Sequence, residues 1–127
     1  MSDTVTAKAI ARGVDQTPRK ISLVASLVRG RTVADALVIL EHTPKRAARP
    51  VAKVIASAAA NATNTFGAKE DTLRIDNLQV TAGPRLKRFR PIARGSANPF
   101  QKRTTHIQVV VRGELKPKKK PANKEAK

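Results

Sequence analysis

The chain has no cysteine, no tryptophan and no tyrosine, and only three of its 127 residues are phenylalanine. Without cysteine there is no disulfide framework and no thiolate metal site, which fits a reducing, cytoplasmic compartment. No apolar run approaches the roughly 18–20 residues that span a bilayer. The N-terminal stretch, with Asp3 in a broken apolar pattern, predicts neither a signal nor a transit peptide. Acid is scarce too: nine Asp and Glu stand against 26 Lys and Arg, for a net charge of +17 and a pI of about 11.5. Such a charge on a short chain repels itself in water, and a polyanionic partner resolves it. Nucleic acid leads among the polyanions. What is present is enough for one domain. The 40% apolar fraction, mostly Ala, Val, Leu and Ile, allows a core built from small pieces.

The distribution of charge says more than its total. Residues 1–76 carry 12 basic and seven acidic side chains, net +5. Residues 77–113 carry eight basic and none acidic, net +8, and residues 114–127 carry six Lys and two Glu, net +4. The first part resembles an ordinary solvated domain. The last, rich in Lys and Pro with little to bury, predicts a disordered tail.

Residues 5–14 alternate weakly, with Ala7, Ala9 and Ala11 opposite Ile10, and predict a strand. Thr17-Pro18 offers a cap and a first-turn proline to a helix bearing Ile21, Leu23, Val24, Leu27 and Val28, ended by Gly30. Thr32 caps a second helix, with Asp35 in the capping-box position, and Ala36, Leu37, Ile39 and Leu40 form its buried side. Thr43-Pro44 repeats the device and predicts the start of a third helix carrying Val51, Val54, Ile55, Ala58, Ala59 and Ala62. Pro50 either kinks that helix or marks its true start, and Asn64 and Gly67 end it. Residues 72–82 predict a strand with a phase slip at Asp76-Asn77 that suggests a bulge. Residues 104–112 predict the clearest strand, with Ile107, Val109 and Val111 on one side and His106, Gln108, Val110 and Arg112 on the other.

Between those strands lies GPRLKRFRPIARGSANPFQKR, residues 83–103. It holds Arg85, Lys87, Arg88, Arg90, Arg94, Lys102 and Arg103, three prolines and no acid. A structureless loop this long is unusual in a compact domain. An extended hairpin fits better, with arms of about ten residues reaching on the order of 30 Å. Alone it would be barely stable. Arg88 and Arg90 flank Phe89, which places cationic and stacking contacts to RNA side by side.

Catalysis has little to stand on. His42 is placed just before a helix start, as a surface residue, and His106 lies on the polar side of a strand, suited to an RNA or structural contact. The acids are too scattered for a hard metal site, and no phosphate-cradling GxxxxGK[ST] or GxGxxG run occurs. We therefore expect no enzyme, no cofactor and no metal.

Four stretches carry a family resemblance: Thr17-Pro18-Arg19-Lys20, Ser57-Ala58-Ala59-Ala60-Asn61-Ala62, Gly83 through Pro91, and Ala93-Arg94-Gly95-Ser96 followed by Lys102-Arg103-Thr104-Thr105-His106-Ile107. Across roughly residues 6–112 the chain resembles the bacterial large-subunit ribosomal protein L twenty-two family. The resemblance implies an α+β fold, three helices packed on a small antiparallel sheet, with a long protruding β-hairpin. It implies binding to large-subunit ribosomal RNA, support of assembly, and a hairpin lining the nascent-peptide exit tunnel. The expected partners are that RNA, neighbouring ribosomal proteins and the nascent peptide, with no membrane and no homo-oligomer. Residues 1–113 form the expected single domain, with the hairpin at about 83–103 and the tail at 114–127. The expected RNA-binding residues in the body are Arg12 and, read together with Arg29 as one RNA-facing surface, Arg19, Lys20, Lys45, Arg46, Arg49 and Lys53. To these the hairpin adds Arg85, Lys87, Arg88, Arg90, Arg94, Lys102 and Arg103, and the following strand adds His106. The expected tunnel-lining tip is Leu86, Lys87, Arg88, Phe89, Arg90, Pro91, Ile92, Ala93, Arg94, Gly95 and Ser96. Two departures stand out. Ile92 replaces a residue that is usually basic in the family, and Asn98-Pro99-Phe100 predicts interrupted pairing on the descending arm.

A general nucleoid protein shares the charge but calls for minor-groove arms or a dimer seam, and no heptad is present. A membrane-surface protein calls for a helix with opposed basic and bulky apolar faces, whereas the most basic segment here has strand and proline character.

Overall fold

A computed structural model of the chain describes residues 4–115. In chain order the elements are β1 (Thr4–Val14), α1 (Pro18–Val28), α2 (Val33–His42), α3 (Ala48–Phe66), β2 (Arg74–Pro91) and β3 (Ala97–Glu114). Short 3-10 turns at Glu70–Thr72 and Ala93–Gly95 precede β2 and join β2 to β3. The three strands form one antiparallel sheet with β3 in the middle and β1 and β2 outside. This is the expected α+β architecture.

The helices start and stop for local reasons. Pro18 opens α1, where its missing N–H costs nothing. Thr17 stands at the N-cap without a side-chain bond, and Gly30 follows the helix at φ +75°. Thr32 caps α2 through its side-chain oxygen, which accepts from the Asp35 N–H at 3.3 Å. The third helix starts later than the pattern suggested. Thr43 and Pro44 belong to the end of α2: Thr43 is its C-cap, and its hydroxyl donates to the Ile39 carbonyl at 2.6 Å. His42 accordingly ends α2 rather than preceding a helix start. Pro50 falls in the first turn of α3, where backbone N–H groups have no helical acceptor anyway, so it marks a start and not a kink. Gly67, left-handed at φ 68°, ends α3, while Asn64 lies inside it.

The core forms where the helices cover one sheet face. Ile21 and Val28 of α1, Ala36 and Leu40 of α2, and Val51, Ile55, Ala58 and Ala62 of α3 pack with Ile107, Val109 and Val111 of β3. The small residues of α3 let it lie close to β1: Asn61 reaches across to donate to the Lys8 carbonyl at 3.1 Å. The expected slip in β2 is a register shift between Ile75 and Asn77, after which Leu78 returns to the buried face. Glu114 and Leu115, placed in the tail by sequence, instead continue the fold. Glu114 ends β3, and Leu115 forms an isolated bridge with Ala68. The remainder of the expected tail lies outside the described residues.

Past the core, β2 and β3 keep pairing without it. The register runs from Arg85 opposite Arg103 to Pro91 opposite Ala97. The interruption expected at Asn98-Pro99-Phe100 is absent; these residues pair with Arg90, Phe89 and Arg88. In a two-stranded arm, alternate residues turn their backbone nitrogens to the open edge, where proline removes no ladder bond. The irregularity lies lower, between Ala82 and Arg85, where Gly83 and Pro84 oppose Thr104 alone.

Candidate nucleic-acid interface

The root of the hairpin is pinned by short polar contacts. The Thr104 hydroxyl donates to the Pro84 carbonyl at 2.6 Å, and the buried Thr105 hydroxyl donates to the Gln16 carbonyl at 2.6 Å. A Cβ on Gly83 would sit 2.6 Å from Thr104 Oγ1, so only glycine fits the bulge. His106 is half-buried, and its Nδ1 accepts the Gly13 N–H at 3.1 Å, which ties it to the β1 bulge. Its role is thus structural on this ring nitrogen, with Nε2 left to carry the ring proton.

Beyond the root every residue from Pro84 to Arg103 is exposed. Residues directly opposite across the ladder share a face. One face carries Arg85 with Arg103, Lys87 with Gln101 and Phe89 with Pro99. The other carries Leu86 with Lys102, Arg88 with Phe100 and Arg90 with Asn98. Each face therefore has three cations and one phenylalanine. On the second face the Arg90 guanidinium stands 5.1 Å from the centre of the Phe100 ring, within cation–π range. Phe89 is 72% exposed. At the tip the Ile92 N–H donates to the Ser96 carbonyl at 2.8 Å, and Arg94 is held left-handed at φ 60° beside Gly95 at φ 72°. A left-handed arginine costs about 1–2 kcal/mol, so the turn presents Arg94 in a fixed and unfavourable conformation.

In the body the expected cations are all exposed. Arg19 and Lys20 lie in the first turn of α1, Arg49 and Lys53 one turn apart on α3, and Lys45 and Arg46 in the connection between α2 and α3. Lys20, Lys45 and Arg46 line one groove, and Lys45, Arg46 and Arg49 line an adjacent one. Arg12 lies on β1 and lines neither groove. Arg29 serves the fold: its Nε donates to the Leu78 carbonyl at 3.2 Å.

Two features escaped the sequence reading. The first is Asp15, whose carboxylate lies 3.7 Å from Arg46 and 3.6 Å from Lys102. These are the two ion pairs among the described residues, and through one acid they join the body to the hairpin root. No periodicity or motif marks that acid. The second is a pair of arginines, Arg74 and Arg112, directly opposite on the sheet face away from the helices, with Lys8 nearby on β1. Like charges facing across a ladder destabilise it. Strand alternation put Arg112 on the polar side, but its partner depended on register. Among the described residues no cluster of acidic or histidine side chains could hold a metal, and no helix is long and apolar enough to cross a membrane.

A family model described as ribosomal protein L22p/L17e matches residues 9–112, most of the chain and the whole of the hairpin.

Proposed function

The chain belongs to the ribosomal protein L22p/L17e family, and on that premise we propose that its hairpin is buried in large-subunit ribosomal RNA and lines the nascent-peptide exit tunnel. Membership makes the chain a structural protein of the large ribosomal subunit that binds ribosomal RNA and serves translation. The finer reading concerns which residues do so.

One observation carries it: cations and an exposed phenylalanine stand on both faces of an arm that has no core and no acid. A hairpin lying on a surface would need cations on one face only. One enclosed by RNA meets phosphates and bases on both sides. In this reading Arg85, Lys87, Arg88, Arg90, Arg94 and Arg103 contact RNA along the arms, with Lys102 shared between phosphate and Asp15. Leu86 to Ser96 reach the tunnel, where Ile92, 44% exposed, gives the tip an apolar point beside Arg94. The body cations on α1, α3 and the α2–α3 connection anchor the protein during assembly, beside neighbouring ribosomal proteins, on the cytoplasmic ribosome.

Replacing Arg85, Lys102 and Arg103 with Ala tests this. The salt dependence of ribosomal-RNA binding should flatten by about 0.7–0.9 in log–log slope for each phosphate that is no longer neutralised. An unchanged slope would place these side chains in solvent. The protein should also co-sediment with the large subunit at low salt and leave it only at high salt. Recovery on chromosomal DNA would favour the nucleoid alternative.

A further inference from the structure

We propose that the groove between α1 and the α2–α3 connection receives one unpaired nucleobase of the bound RNA. This rests on the RNA-binding reading above and adds a site to it. The groove has a volume of about 370 Å³. Its apolar wall includes Leu23 and Leu27, which are 70% and 46% exposed although they belong to a helix whose other face is core. Its rim carries Lys20, Lys45 and Arg46, and its lining contains no acid. Arg46 pairs with Asp15, which is not part of the lining; Lys20 and Lys45 have no carboxylate within ion-pair distance among the described residues.

A second observation is independent of exposure. Gln16 also lines the groove, and its Oε1 is buried with no hydrogen-bond partner among the described residues. Its backbone is fixed on both sides: the N–H donates to Val14 O at 2.8 Å, and the carbonyl accepts from Thr105 Oγ1 at 2.6 Å. The carboxamide oxygen is thus the group left without a partner. An unpaired buried acceptor is unfavourable, and the terminal torsion of Gln is soft. Oε1 is covered as it stands, and a turn of the carboxamide about that torsion would offer it to the edge of an occupant with both a donor and an acceptor. The amino and ring-nitrogen edge of a base does so.

The charge of the rim selects the occupant. An RNA strand brings a flat, weakly polar base for the leucines and a phosphate at each step for the lysines. The groove also lies beside the hairpin root, because Arg46 of its lining and Lys102 of the root share Asp15. A strand following the hairpin cations therefore passes its rim.

The test measures binding of the full chain to a decamer of oligoadenylate and to an abasic ribose-phosphate decamer. The unsubstituted chain should prefer the base-bearing strand by about tenfold, in line with single base contacts. Leu23→Ser and Gln16→Leu should each remove at least half of that preference while leaving abasic affinity and thermal melting unchanged. A preference unchanged in both variants would overturn the proposal and leave a protein segment as the occupant. Failure to bind either decamer would overturn it together with the RNA-binding reading beneath it.

Discussion

Two halves of the same two strands behave differently. In the body, β2 and β3 alternate cleanly: Leu78 and Val80 lie opposite Val109 and Ile107, under helices that exclude water. Past the root, the same ladder carries Arg88 opposite Phe100 and Arg90 opposite Asn98, all exposed. The backbone pairing is equivalent, but its support is not. The lower half is held by apolar burial, the dominant favourable term in folding. The upper half has no apolar layer, and its arm cations repel one another. Main-chain pairing alone leaves such an arm marginal; in the proposed function, phosphates on both faces supply what the core supplies below.

That contrast can be broken first at the core. Ile107 is fully buried at the centre of the sheet, and Ile107→Ala should destabilise the body by about 2–5 kcal/mol in denaturant unfolding. Phe89→Ala on the arm should leave the same transition within about 0.5 kcal/mol. Equal effects would mean that the arm belongs to the body's cooperative unit. The boundary between the halves is the next target. Gly83→Ala forces a Cβ against the Thr104 hydroxyl and should cost about 1–3 kcal/mol, with shifted amide resonances confined to residues near the root. Smallest is the link across the boundary. Asp15→Ala removes both ion pairs, but these side chains are half-exposed or more. Thermal unfolding should shift by less than about 1 kcal/mol in stability.

The body was largely legible because its signals are local. Thr32 as a cap, Pro18 in a first turn and the slip after Ile75 depend on neighbours within a few residues. The misplaced start of α3 shows the limit of such signals: Thr43 had the right chemistry for an N-cap but spends its hydroxyl on the Ile39 carbonyl behind it. Packing delays the helix until Ala47 and Ala48 become buried. The hairpin was legible through its missing acids. Its continuous pairing past Pro99 was not, because edge position decides whether a proline breaks a ladder. In the candidate site, the arm cations could be named from sequence. The Asp15 bridge, the Gln16 groove and the facing Arg74 and Arg112 could not, because each joins residues far apart in the chain.

The central claim is that RNA, and not the protein's own packing, holds the outer hairpin. Amide hydrogen exchange on the free and RNA-bound chain tests it most directly. In the free protein, paired amides between residues 85 and 103 should exchange far faster than those of residues 107–111, and RNA should slow them by at least about a hundredfold, equivalent to about 2.7 kcal/mol. An arm already as protected as the sheet core without RNA, or unprotected in its presence, would contradict the account.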